Sequence, residues 1–280
     1  MKTSPASDRL AVDLRVGLCG FTMSMEDYPL HFPVVEIQNT FYEPPRDLVL
    51  QRWLAHTPAS LEYTIKVWQL VTHPASSPTY RRMKKPLPPG AEPGFFRDSA
   101  AVEQGWRRSL ACAAVLRATA FLFQCPASFK PTDDNVARMR RFFGRIERPA
   151  ARLLWEPRGP AWVEQRVLAL SLCRELGLVH VVDPFVTDPE PGHAVYWRLH
   201  GMTGPRHSYS DDELRQLGDR LRRSAPPGPA YVMFNNLPRV GDAKRFVRMM
   251  AWAGSPRSAG CTLVRHRAAG GPSGEDESDA

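Results

Sequence analysis

Hydrophobic positions along the chain recur with two periods. Short runs alternate apolar and polar residues two apart, as a half-buried strand requires, and the stretches between them repeat apolar residues every three or four, as a helix requires. Arg15 to Gly20 is the first short run. Val34 to Tyr42 is the second, with Val35, Ile37 and Phe41 on one expected face and Glu36, Gln38 and Thr40 on the other. Glu62 to Leu70, Ala120 to Gln124, Arg152 to Glu156, Leu178 to Asp183, Val195 to His200 and Ala230 to Phe234 read as further strands.

Helix signals fall between them. Pro44-Pro45 opens a helix through about Ala55, because proline is tolerated in a first turn. Another is expected from Ser99 to Arg117, and Thr132 caps one that carries Val136, Met139, Phe143 and Ile146. Trp162 to Leu176 stops at Gly177, Ser210 with Glu213 forms a capping box ahead of Leu214, Leu217 and Leu221, and a last helix runs from about Asp242 to Trp252. Pro29 and Pro33 exclude a regular helix between Thr22 and Pro33, so the first crossover is abbreviated. Eight strands alternating with helices predict an α/β fold, a TIM-type (β/α)8 parallel barrel over residues 14–253.

Outside that span, residues 1–13 read as a flexible N-terminus. From 254 to 280 the composition turns to Gly, Ser and Arg and then to Glu275, Asp276, Glu277 and Asp279, a disordered acidic tail. His73 to Phe96 is a long basic loop with many prolines. Loops of that length are functional or disordered.

Composition narrows the class. A chain of 280 residues, 43% hydrophobic, can bury the core of one barrel. The net charge of +8 favours acidic partners, either phosphorylated metabolites or nucleic acid, with plain solubility as the alternative. Cys19, Cys112, Cys125, Cys173 and Cys261 are odd in number and lack Cys-x-x-Cys spacing, which argues against a disulfide framework or zinc module and for the cytoplasm. Met1 to Asp13 lacks the apolar core of a signal peptide, and the run from Ala111 to Phe123 is broken by Arg117, so no membrane partner is expected. Nothing in the residues specifies an oligomeric state.

In a barrel, polar residues two apart near a strand's C-terminal end converge on one mouth. Glu36 with Gln38, Glu156 with Arg158 and Arg198 with His200 show that spacing. Lys66, Gln124, Asp183 and Asn235-Asn236 stand at or near the ends of other strands, and His73 opens the basic loop. These groups predict a site rich in hydrogen-bond donors, where acids face bases. The structural alternative is that the charges pair inside the lumen and hold the barrel together. Glu36, Glu156, Asp183, His73 and His200 are competent ligands for a divalent ion, but Lys66, Arg158 and Arg198 in the same mouth disfavour a metal, and no cofactor is predicted. Arg81 and Arg82, beside Tyr80, Lys84 and Lys85, offer contacts to an anion or a nucleic-acid backbone.

Seven segments then carry a resemblance, in this order: Val16-Gly17-Leu18-Cys19-Gly20-Phe21, Val35 to Tyr42, Ile65-Lys66 with Thr72-His73, Leu122 to Pro126, Trp155-Glu156-Pro157-Arg158, Arg198-Leu199-His200-Gly201 and Phe234-Asn235-Asn236. Together they resemble the YecE-like family, also called domain of unknown function seventy-two, over about Arg15 to Trp252. The resemblance implies a TIM-type barrel and brings no reaction with it. Phe21 stands where many members carry tryptophan, and the first crossover is shorter.

The expectation is an enzyme, a hydrolase or an isomerase, acting by general acid–base chemistry on a small anionic, sugar-phosphate-like substrate. Glu156, His200 and Glu36 are the catalytic candidates. Lys66, His73, Gln124, Arg158, Asp183, Arg198, Asn235 and Asn236 are expected to bind substrate. The alternative is a nucleic-acid-binding or phosphodiester-cleaving protein that uses the basic loop.

Overall fold

The computed structural model describes residues 12–224, 228–253 and 261–262. The parallel strands are β1 (Val12–Cys19), β2 (Val34–Ile37), β3 (Glu62–Lys66), β4 (Ala120–Gln124), β5 (Arg152–Glu156), β6 (Val179–His180), β7 (Tyr196–Leu199) and β8 (Ala230–Phe234). They are ordered β6-β5-β4-β3-β2-β1-β8-β7. A bridge between Val182 and Trp197 joins the two ends, so the sheet is a nearly closed barrel as the alternation predicts. A short β9 (Cys261–Thr262) pairs with Val12 and Asp13 of β1. Residues 12–13 therefore belong to the sheet rather than to a flexible terminus, and two positions of the expected tail do as well; 1–11 and the remainder of the tail lie outside the described residues.

Helices α1 (Asn39–Tyr42), α2 (Asp47–Ala55), α3 (Gln69–Thr72), α4 (Ala100–Leu116), α5 (Asp133–Arg145), α6 (Pro160–Glu164), α7 (Arg166–Leu176), α8 (Asp211–Ser224) and α9 (Arg239–Ala253) link the strands. The expected caps are present. Ser99 and Thr132 hydroxyls accept from the amides of Val102 and Asn135, both at 3.3 Å, and Ser210 and Glu213 bond reciprocally. Gly177 ends α7 with φ of +61°, which an L side chain tolerates poorly.

Three expected elements break early. Val34 to Tyr42 is not one strand: Gln38 takes up helical backbone angles (φ −89°, ψ −25°) and the chain turns into α1. Glu62 to Leu70 likewise stops at Lys66 before α3. Trp162 to Leu176 divides at Gln165 into α6 and α7. The first crossover holds only a 3-10 turn at Tyr28–Leu30. There the Tyr28 hydroxyl donates to the Val34 carbonyl at 2.8 Å and accepts from the Leu18 amide at 2.9 Å, bridging β1 and β2 from within the core.

Strand alternation separates two cores. Outward residues such as Leu18, Val35, Ile65, Phe123, Trp155 and Trp197 pack against the helices. The lumen is filled by a smaller cluster that includes Val34, Leu122, Leu154, Val181, Tyr196 and Met233. At the N-terminal end, Glu62 gathers Arg15, Thr119 and the Tyr231 hydroxyl, and Arg152 donates to the same hydroxyl at 2.8 Å. That end is closed by polar pairing, so the open face lies at the strands' C-terminal ends. No helix among the described residues is long and apolar enough to cross a membrane.

Candidate active site at the barrel mouth

Tyr196, Arg198 and His200 follow one another at two-residue spacing, while Trp197 and Leu199 between them point to the helices. Arg198 is thereby driven into the lumen, where it is 1% exposed. Its Nε and Nη2 donate to Glu36 on β2 at 3.1 and 2.8 Å, and its Nη1 donates to Glu156 on β5. Glu36 also accepts from the Tyr196 hydroxyl at 2.8 Å and from the Gln38 amide. Desolvating three ions costs several kcal/mol each, which only such saturation offsets. Burial alone would push the Glu156 carboxyl up, but Arg198, His200 and Arg158 hold it well below the ordinary carboxylate range.

Above this layer Glu156 Oε1 meets Arg158 Nη1 at 2.9 Å and His200 Nε2 at 2.8 Å. Arg158 Nη1 and His200 Nε2 are themselves 2.6 Å apart. The other imidazole nitrogen lies 3.0 Å from the Asn235 amide. Both Asp183 oxygens accept backbone amides, from Phe185 at 3.0 Å and His200 at 2.9 Å, so this carboxylate shapes the loop and the strand end. Glu156, Arg158, Asp183, His200 and Asn235 all line one cavity of about 810 Å³ at the ends of β5 to β8. Trp162, Val163, Val186 and Pro205 form its apolar walls.

Lys66, His73 and Gln124 do not line that cavity: they stand at and beyond the ends of β3 and β4, the strands next to β5. Lys66 is 6% exposed, and its ammonium lies 3.6 Å from the centre of the Phe41 ring. Burial, followed by the Arg198 charge, outweighs Glu156 and Glu36 and draws its pKa down to about 7. His73 packs in a T-shape on the same ring, 4.8 Å between centres, and bonds Thr72 at 2.8 Å. Burial and the neighbouring Lys66 lower it to about 3, so this imidazole is neutral. Gln124 is half-buried at the end of β4, in register with Glu156.

Three expected contacts lie elsewhere. The Asn236 amide donates to Asp242 at 2.6 Å and to the His207 carbonyl at 2.9 Å, tying the loop before α8 to α9 rather than facing substrate. Arg82 stacks over Tyr42 at 3.7 Å, and Arg81 is exposed on a 3-10 turn spanning Pro78–Arg82. The long loop is ordered by Tyr80, whose hydroxyl donates to the His73 carbonyl at 2.8 Å. Tyr196 was not anticipated although it stands two residues before Arg198 on the same face, a signal of the kind that identified His200.

Among the described residues no three His, Cys, Asp or Glu side chains gather as a cage, and guanidinium groups already occupy the oxygens of Glu36 and Glu156.

Comparison with solved structures agrees with this architecture. A DUF72 family protein from Enterococcus faecalis is 20% identical, with 89% of this chain and 99% of that one covered, at a TM-score of 0.66. A DUF72 family protein from Thermotoga maritima is 22% identical, with 85% and 99% covered, at 0.61. A D-tagatose 3-epimerase-like protein is 12% identical, with 88% and 100% covered, at 0.56, a likeness of fold. No curated protein matches the chain. The profile of the family described as "Protein of unknown function DUF72" matches residues 21–263, and the chain belongs to that family.

Proposed function

We propose that the protein is an enzyme, an isomerase or a hydrolase, that performs acid–base chemistry on a small anionic, sugar-phosphate-like molecule in the cavity at the ends of β5 to β8. The observation that carries this reading is the placement of His200 between Glu156 and Asn235, beside Arg158 and open to the cavity. Glu156 is held ionised, which suits it to orient and charge-balance the imidazole rather than to act as an acid. His200 then moves the proton, a role worth about 10²–10⁴ in rate. Arg158, 40% exposed at its side chain, directs its remaining donors at an anion. Asn235 and Asp183 orient hydroxyls, Gln124 stands beside the cavity at the end of β4 in register with Glu156, and Glu36 acts through Arg198.

Nucleic acid is the weaker reading, because Arg81, Arg82, Lys84 and Lys85 lie outside the cavity lining. The test is thermal stabilisation by a panel of phosphorylated sugars at millimolar concentration. A ligand at 100 times its Kd adds about 2.7 kcal/mol. At least one member is expected to raise the Tm of the wild type but not of Arg158→Ala, and His200→Gln should bind it without turnover. A panel that leaves the wild-type Tm unmoved counts against the reading.

A further inference from the structure

The lumen holds one more cation than its carboxylates can engage. Glu36 receives four donors, two from Arg198 and one each from Tyr196 and Gln38, which fills its acceptor directions. Glu156 receives Arg198, Arg158 and His200. Lys66, buried on the neighbouring wall, makes no ion pair within 4.0 Å among the described residues and rests on the face of Phe41.

We propose that Lys66 is a nucleophilic amine that forms an imine with the carbonyl carbon of an aldehyde or ketone substrate at the barrel mouth. This rests on the acid–base reading above and names the functional group that the substrate must carry.

Position supports it first. Lys66 is the last residue of β3, on the lumen face with Thr64, whose hydroxyl lies 2.9 Å from that of Tyr196. Its backbone is fixed by the Thr40 hydroxyl, which donates to its carbonyl at 2.7 Å, so only the side chain has to reach. The charged and titratable groups that face it are Cys19 from β1, Glu36 from β2, Glu156 from β5, Arg198 from β7, and His73 after α3. With both carboxylates bound to arginine, burial and the Arg198 charge leave a large fraction of this amine unprotonated near neutral pH.

The step balances without a redox partner. The amine lone pair attacks the carbonyl carbon, a C–N bond forms, and the C=O π pair moves to oxygen, which takes the proton that nitrogen sheds. A second proton, from solvent, lets that oxygen leave as water. The protonated C=N group that remains draws electrons from the adjacent carbon, whose proton a base such as His200 would remove. Hydrolysis reverses the sequence and frees Lys66.

Borohydride trapping tests this on the full chain. The protein is incubated with dihydroxyacetone phosphate or glyceraldehyde 3-phosphate, and separately with their unphosphorylated counterparts, then reduced, weighed intact and peptide-mapped. The expected result is one adduct on Lys66 from a phosphorylated carbonyl, lost in Lys66→Arg, with Lys84 and Lys85 unmodified. The wild-type map alone decides the point if that variant does not fold. An equal Lys66 adduct from the unphosphorylated compounds upholds the imine and overturns the anion requirement. A phosphorylated sugar that stabilises the protein yet leaves no adduct on Lys66 overturns the imine and leaves the acid–base reading standing. No adduct from any carbonyl, or labelling spread over the surface lysines, also overturns the proposal.

Discussion

Lys66 and Glu156 are displaced from their ordinary pKa values by different forces, and pH separates them. Glu156 is held low by Arg198, His200 and Arg158 against the effect of burial, so its contribution to stability is complete above the ordinary value near 4.5 and fades as pH falls below it. Lys66 releases its proton near pH 7 in the folded protein and near 10.5 when unfolded. Between those values the unfolded chain binds more protons, so this group makes stability rise with pH. Lys66→Met should therefore melt highest relative to wild type at about pH 7 and below, and lose that advantage towards about pH 10. Paired melting curves across that range check it; a difference independent of pH contradicts the shift. Much of this chemistry was legible residue by residue. Glu156 with Arg158, and Arg198 with His200, announce a shared face through their spacing. The state of Lys66 was not legible, because it depends on Arg198 claiming carboxylates from β2 and β5, strands remote from it in sequence. Asn236 looked like its neighbour Asn235, since adjacency in sequence does not tell which of two amides points inward.

At the scale of elements, prolines marked the short first crossover correctly, and the part that replaces its helix was hidden. Tyr28 reads as one more aromatic residue, yet its hydroxyl satisfies the Leu18 amide and the Val34 carbonyl. Tyr28→Phe leaves both groups without that partner inside the core, at a cost of about 1–3 kcal/mol. The expected drop in Tm is roughly 2–12 °C, at 2–4 °C per kcal/mol for a domain this large. Calorimetry of the two proteins measures it, and equal melting would remove the bridging role. The early end of β2 escaped sequence reading for a different reason. Thr40, Phe41 and Tyr42 have strand propensity, but the Thr40 hydroxyl finds carbonyls of Ile37 at 3.1 Å and Lys66 at 2.7 Å once the chain turns helical. That turn is what brings the Phe41 ring over Lys66.

Across the whole molecule, closure is uneven. β1 pairs with β8 over five registered positions and β4 with β5 over five, whereas β6 pairs with β5 over two and meets β7 through the single Val182 bridge. Strand number and order were predictable from the alternation of elements; the thinness of this seam was not, because Leu178 to Asp183 has the composition of a full strand. Backbone protection follows the density of pairing. Amides of residues 178–183 should exchange with deuterium faster than those of β1, β4 and β8, and equal protection around the barrel would show the seam to be as firm as the rest.

The Arg198 guanidinium gives that seam a mechanical meaning. One planar group grips β7, β2 and β5 at once, so those three walls of the mouth are riveted to a common point. β6 carries no rivet of this kind. Its hold on the β7 side is two bonds, from the Arg198 amide to the Val182 carbonyl and from the His200 amide to Asp183, both at 2.9 Å, so a substrate too large for the resting cavity would enter there only by breaking them. Recognition would then adapt on the β6 side of the site at the expense of the Asp183 bond that holds the His200 backbone.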